Sequence, residues 1–231
     1  MAGVHGCGAL SALQEIGLTD AFDEIYTISA GFPNVSYFLA GQADISATVY
    51  YENLSAKKFI NPFRIWDVEN VDYLIDVLRR SRKKLAFDKI AKHKTNLYVF
   101  MKNTDKGTID CFPVPKSNRD EYFSVLRAAV SMPILSPGST EIENNHYKDI
   151  YLDFEDQRIM LFNKVSDSGA TDVLAIYNYA SDKKHTSKKY NTLEIFPEKD
   201  WLDSPYETNT DKLRSAAEKM KNRTKTIFGS L

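Results

Sequence analysis

"YTISAGFPNVSYFLAGQ" (Tyr26–Gln42) decides how the chain is read. Aromatic and β-branched residues in "FDEIYTI" (Phe22–Ile28) predict a strand that runs straight into Ser29. Ala30 and Gly31 follow, small enough for a sharp turn, and Ala30–Gly41 then reads as a helix. Pro33 is tolerable there because it falls in the first turn, and Gly41 closes the helix. A serine at such a turn is exposed, and the helix end behind it favours developing negative charge. The motif for a mounted nucleophile is G-x-S-x-G. Thr27 stands at its first glycine, a position still on the strand, where a β-branched residue fits. The plainer alternative is a serine that caps the helix after it.

Outward from this stretch, helices and strands alternate. "GALSALQEIGLTD" (Gly8–Asp20) is an amphipathic helix with Gly17 as its stop. Asp44–His93 is mostly helical, most clearly in "ENVDYLIDVLRRSRKKL". "NLYVFMKN" and "GTIDCF" pair as strands around the turn "TDKG". Arg119–Val130 is a helix, "TDVLAIYNY" and "NTLEIF" are strands, and "TDKLRSAAEKMKNRTKTIFG" is a closing helix. The expected fold class is therefore α/β, with a largely parallel sheet in one domain over 1–231.

The composition excludes several functions. Lys and Arg number 30 and Asp and Glu 31, so no basic field draws in nucleic acid. Cys7 and Cys111 match no metal or redox spacing and read as free thiols. No P-loop and no G-x-G-x-x-G lies between a strand and a helix, which argues against a nucleotide site. No apolar run is long enough to span a membrane and no signal peptide is visible. A cytoplasmic or membrane-peripheral location is expected, with secretion left open. "SDKKHTSKKYN" (Ser181–Asn191) is either a solvated loop or a patch for anionic headgroups.

A nucleophilic serine needs a base. His5, His93, His146 and His185 lie in polar or glycine-rich surroundings, so a Ser-His-Asp triad is not expected. Asp149 in "HYKDIYLDF" can serve in a Ser–Asp dyad, the alternative being an exposed turn aspartate.

Taken in order, these segments resemble the patatin-like phospholipases, lipid acyl hydrolases with a Ser–Asp dyad. "MAGVHGCGALSALQEIGL" is similar to the family's first helix, and "TISAGFPNVSYFLAGQ" to its nucleophile turn. "YFSVLRAAVSMPILSP" is similar to the segment before the acid. "HYKDIYLDF" stands where Y-x-D-G-G belongs, and "GATDVLAIYNY" resembles the strand after it. The resemblance covers nearly the whole chain. It implies a three-layer α/β/α sandwich around a mainly parallel central sheet. It also implies Ser29 as nucleophile, Asp149 as base, and Gly3, Ala30 and Gly31 around the oxyanion and nucleophile turn. The implied substrate is a phospholipid or another acyl-ester lipid, met at a membrane surface, with no cofactor or metal. "FINPFRIWDVENVDYL" (Phe59–Leu74) is then part of an acyl cleft or interfacial surface, or else an ordinary helical core stripe.

Three departures bear on this. In the register that keeps Gly3 and Gly8 five apart, the chain starts inside the family's glycine loop. The G-G-G run and the strand carrying it are then missing. That strand is central in the sheet, so its neighbours are expected to be unpaired and buried surface exposed. A competing register takes "GVHG" as the loop, keeping Gly3 and Gly6 and placing His5 where the family's G-G-G-x-R-G loop has arginine. Finally, D-G-G becomes Asp149-Ile150-Tyr151. Isoleucine cannot easily adopt positive φ, so the loop is expected to divert and displace Asp149 from Ser29, with Asp153 as a fallback carboxylate. The reading is then a lipid acyl hydrolase that these departures impair; they also fit an alternative, a catalytically inactive patatin-fold protein that binds lipid or a protein partner.

Overall fold

β1 (Glu24–Ile28) pairs in parallel with β2 (Asn96–Asn103), Glu24 opposite Asn96 and Ile28 opposite Phe100. Both belong to a computed structural model that describes residues 1–56, 58–60, 68–133, 135–136, 138–150 and 152–230. Positions 61–67 of the apolar stretch Phe59–Leu74, and Tyr151, lie outside the described residues. Thr27 is buried in β1, and its hydroxyl donates to the Tyr98 carbonyl across the ladder at 2.9 Å.

β2 turns back through Gly107 (φ +71°) into β3 (Ile109–Pro113), which pairs antiparallel with it. The far end of β2 pairs antiparallel with β5 (Asn145–Lys148), and β5 with β4 (Thr140–Ile142). A second sheet holds β6 (Asp172–Ile176) and β7 (Asn191–Ile195) in parallel. The fold is α/β as expected, but the largely parallel single sheet is corrected. Only β1–β2 and β6–β7 are parallel pairs, and the described strands form two sheets. Two of the three antiparallel pairs, β2–β3 and β4–β5, are hairpins. The β4–β5 turn uses Glu143 and Asn144, both at positive φ, the conformation whose twist matches a two-residue hairpin.

The helices are α1 (Val4–Glu15), α2 (Gly31–Leu39), α3 (Ala43–Val49), α4 (Val71–Arg80), α5 (Phe87–Lys92), α6 (Arg119–Val130), α7 (Phe154–Ser168) and α8 (Thr210–Gly229). A π-helical turn over Tyr50–Leu54 continues α3. Asn70, Asn118, Asp153 and Asn209 accept first-turn amides of α4, α6, α7 and α8, relieving donors that have no partner inside the helix. α1 starts at Val4, four residues before the expected Gly8, so "GVHG" lies in its cap and first turn rather than in a loop. Gly8 serves packing instead. A β-carbon there would lie 2.1 Å from the Ala217 carbonyl oxygen of α8.

The main core fills the space between helices and the first sheet. Leu13, Phe32, Phe38, Val99, Met101 and Leu126 are all buried in it. Side chains of this size each stabilise the fold by about 1.5–3 kcal/mol when fully buried. A smaller cluster of Phe162, Tyr177, Tyr190 and Phe196 joins α7 to the second sheet.

Candidate active site

β1 ends at Ile28 and α2 begins at Gly31, so Ser29 and Ala30 are the whole connection between them. Ser29 takes φ +50°, a left-handed conformation that costs an L-residue roughly 1–2 kcal/mol. The turn is held because the Phe32 amide donates to the Ser29 carbonyl at 3.0 Å. Ser29 is half-buried.

Asp149 follows β5 directly and is 2% exposed, not an exposed turn residue. Its amide donates to the Ser131 carbonyl at 3.1 Å, and its carboxylate accepts the Ile150 amide at 2.8 Å. The Ser29 hydroxyl lies close enough to the Asp149 carboxyl to favour its charged form. Burial pushes that carboxyl up to about 8; the bonds from Ser29 and the Ile150 amide pull it down, and the negative charge of Glu69 adds to the rise. The loop takes the path expected of a β-branched residue, and Asp149 remains near Ser29. Ile150 keeps a negative φ and is itself buried, while the Ser131 carbonyl anchors the backbone ahead of it. Asp153 is engaged elsewhere as the α7 cap, accepting the Asp156 amide at 3.0 Å.

Gly3 caps α1 directly against the Ser29 turn. A β-carbon at Gly3 would fall 2.8 Å from the Ala30 β-carbon and 2.3 Å from the Tyr50 hydroxyl, so only glycine fits. At Gly31 a β-carbon would meet only Thr27, at 3.8 Å, an ordinary contact. The Gly3 and Ala30 amides have no acceptor among the described residues. His5 is in α1, buried, with Nδ1 2.9 Å from the Asn178 carbonyl oxygen.

Three residues outside the nucleophile motif organise this corner. Asn34, buried in α2, donates to the Gly3 carbonyl at 2.8 Å. Its own oxygen accepts from the Cys7 thiol and the Tyr50 hydroxyl, both at 3.1 Å, which fixes the side chain. Asn178 receives the Gly6 amide at 3.0 Å and so ties the end of β6 to α1. Glu69 has a buried, unpartnered Oε2, and burial pushes its carboxyl up to about 7. Asn34 had one visible signal, a primary amide inside an apolar helical run; Asn178 and Glu69 had none.

The arrangement joins a hydroxyl on a strained turn, a buried carboxyl in reach of it, and two amides with free donors. Among the described residues no helix is long and apolar enough to cross a membrane. In the lysine loop, His185 stacks on Phe162 with centroids 3.6 Å apart. Lys189 donates to the Ser166 hydroxyl and Lys183 pairs with Glu155, and all four lysines of the loop are exposed.

No protein-family model matches the chain, and no curated protein sequence does. Among solved structures, that of VipD from Legionella pneumophila is similar, with a TM-score of 0.45 and 9% identity. The match covers 99% of this chain, which spans 65% of the length of that one.

Proposed function

We propose that the protein is a serine lipid acyl hydrolase of the patatin-like kind, cleaving carboxylic esters of phospholipids or neutral lipids. In this reading, residues 1–231 form one three-layer α/β/α unit that acts peripherally at a membrane surface. The observation that carries it is Ser29 on a positive-φ turn, with the buried Asp149 carboxyl close beside its hydroxyl. Ionised Asp149 takes the hydroxyl proton as Ser29 Oγ attacks the ester carbonyl. The amides of Gly3 and Ala30 receive the oxyanion, and the N-terminus of α2, starting at Gly31, adds its dipole. Collapse breaks the acyl–oxygen bond; the alcohol leaves with the proton held by Asp149, and Ser29 keeps the acyl group. Water then gives a proton to Asp149 and attacks the acyl carbon. The fatty acid departs and the proton returns to Ser29.

The test compares wild type with Ser29→Ala on p-nitrophenyl butyrate and on phosphatidylcholine vesicles, alongside labelling by a fluorophosphonate. Removing a nucleophile should cost roughly 10³-fold or more and abolish labelling. Equal rates for the two proteins overturn the reading.

A second reading is a lipid- or partner-binding protein without hydrolytic activity. It is favoured by the Asp149 carboxyl lying near 8, which leaves it largely protonated at neutral pH. Vesicle binding with no ester hydrolysis, at alkaline as well as neutral pH, selects it.

A further inference from the structure

A cavity of about 740 Å³ lies between β1 and β6. The two strands flank it, and α1, α2 and α7 supply the rest of its walls. Each strand pairs along one edge only, β1 with β2 and β6 with β7; no strand among the described residues pairs with the other edges. The strands run the same way. β1 leads to Ala30, which meets Gly3, and β6 leads to Asn178, which binds His5 and Gly6. The first turn of α1 therefore closes the end where both strands finish. The opposite end carries Asp23, Glu24 and Asp172, none of them ion-paired among the described residues. Between the ends the lining is mostly apolar, with Leu13, Ile25, Phe162, Val165 and Leu174, and Gln157 and Arg158 of α7 add polar groups.

An acyl chain and an extended polypeptide both suit an apolar space of this kind. An acyl chain covers the side chains but offers nothing to two rows of backbone N–H and C=O groups, and burying such groups unpaired is costly. A strand satisfies both rows at once. The geometry points to this cleft as a docking site for an extended segment of another polypeptide. The segment matches the five-residue length of β1 and β6, runs parallel to both and is apolar on both faces. It opens with a basic residue beside Asp23, Glu24 and Asp172. Seated there, it joins the two sheets into one. The inference is separate from the hydrolase reading, since it uses neither Ser29 nor Asp149.

The probe is the acetylated, amidated peptide Lys-Val-Leu-Val-Val-Leu added to the full chain, read by amide hydrogen exchange. Exchange across Glu24–Ile28 and Asp172–Ile176 should slow about tenfold or more. Exchange in β3, whose outer edge is also unpaired, should not change. The same peptide with its central Val replaced by Pro, which has no N–H to give, should have no effect. A fusion carrying the peptide ahead of Met1 raises its effective concentration and should show the same protection. No slowing in either format, equal slowing by the proline peptide, or slowing by dodecanoate to the same extent would overturn the proposal.

Discussion

Ser29 is held in a conformation that glycine adopts freely, so its side chain is kept against a local conformational cost. Ser29→Gly should raise stability by about 1 kcal/mol in urea denaturation while removing the nucleophile; a loss of stability would show that the Ser29 hydroxyl contributes more than its backbone costs. Asp149 has a cost of another kind. Its folded carboxyl lies near 8, well above its unfolded value. Between those two values the folded chain holds a proton that the unfolded chain has lost, so stability falls as pH rises, by up to about 1.4 kcal/mol per pH unit. Asp149→Asn removes that slope. Its midpoint should exceed the wild-type value by a margin that widens from about pH 5 to about pH 8. Wild-type ester hydrolysis, which needs the ionised carboxylate, should rise over the same range and level off above about pH 8, with Asp149→Asn inactive throughout. A constant margin, or a rate that falls with pH, would contradict this assignment. Ser29 and Asp149 could be picked out from residue order because each sits beside a recognisable local pattern. Asn34 and Glu69 could not, since the bond of Asn34 to Gly3 and the approach of the Glu69 charge to Asp149 are created only by folding.

Among the elements, α1 and α8 approach so closely that the Ala217 carbonyl occupies the space a side chain at Gly8 would need. Gly8→Val should therefore destabilise by about 1–3 kcal/mol or more, because the obstacle is backbone and cannot rotate away; an unchanged denaturation midpoint would mean the helices separate at no cost. α7 is fixed to β7 by Arg158 and Glu194, 2.8 Å apart and with side chains only 7% and 5% exposed. Glu194→Leu alone leaves the buried guanidinium with Glu155, 3.2 Å away, as its remaining carboxylate partner and should cost about 1–3 kcal/mol. Replacing both, Arg158→Met with Glu194→Leu, should recover most of that loss; an additive loss in the double variant would refute pairing as the cause. This helix was illegible in the sequence. Arg158 lies in the middle of its buried face, which breaks the apolar stripe that periodicity detects. The β4–β5 hairpin was missed for a similar reason, as Glu143-Asn144 lacks the glycine that usually marks such a turn. β2 and α6 coincide with the segments read from alternation and helical spacing, Asn96–Asn103 and Arg119–Val130, because burial there follows those periods.

At the scale of the molecule, the two sheets share no strand pairing among the described residues, and a pair of helices links them. Ile195 of β7 is fully buried against Ala9 of α1 and Met220 of α8, while Leu174 and Ile176 of β6 pack on the same surface. The other side of β6–β7 rests on α7 through a separate aromatic cluster. This division follows from the unpaired edge of β1, whose neighbours in space are side chains and cavity instead of a hydrogen-bonded strand. Opening the second sheet therefore breaks side-chain packing but no ladder to the first, so it should cost less than unfolding β2, which is paired on both sides. Met220→Ala acts on that link. It removes a fully buried side chain and should lower global stability by about 2–5 kcal/mol. Its larger effect should be local: amide exchange in Asp172–Ile176 and Asn191–Ile195 should accelerate more than exchange in Asn96–Asn103. Native-state hydrogen exchange at low denaturant measures both. If all three segments accelerate equally, the sheets unfold as one unit and the helix pair is not their only coupling.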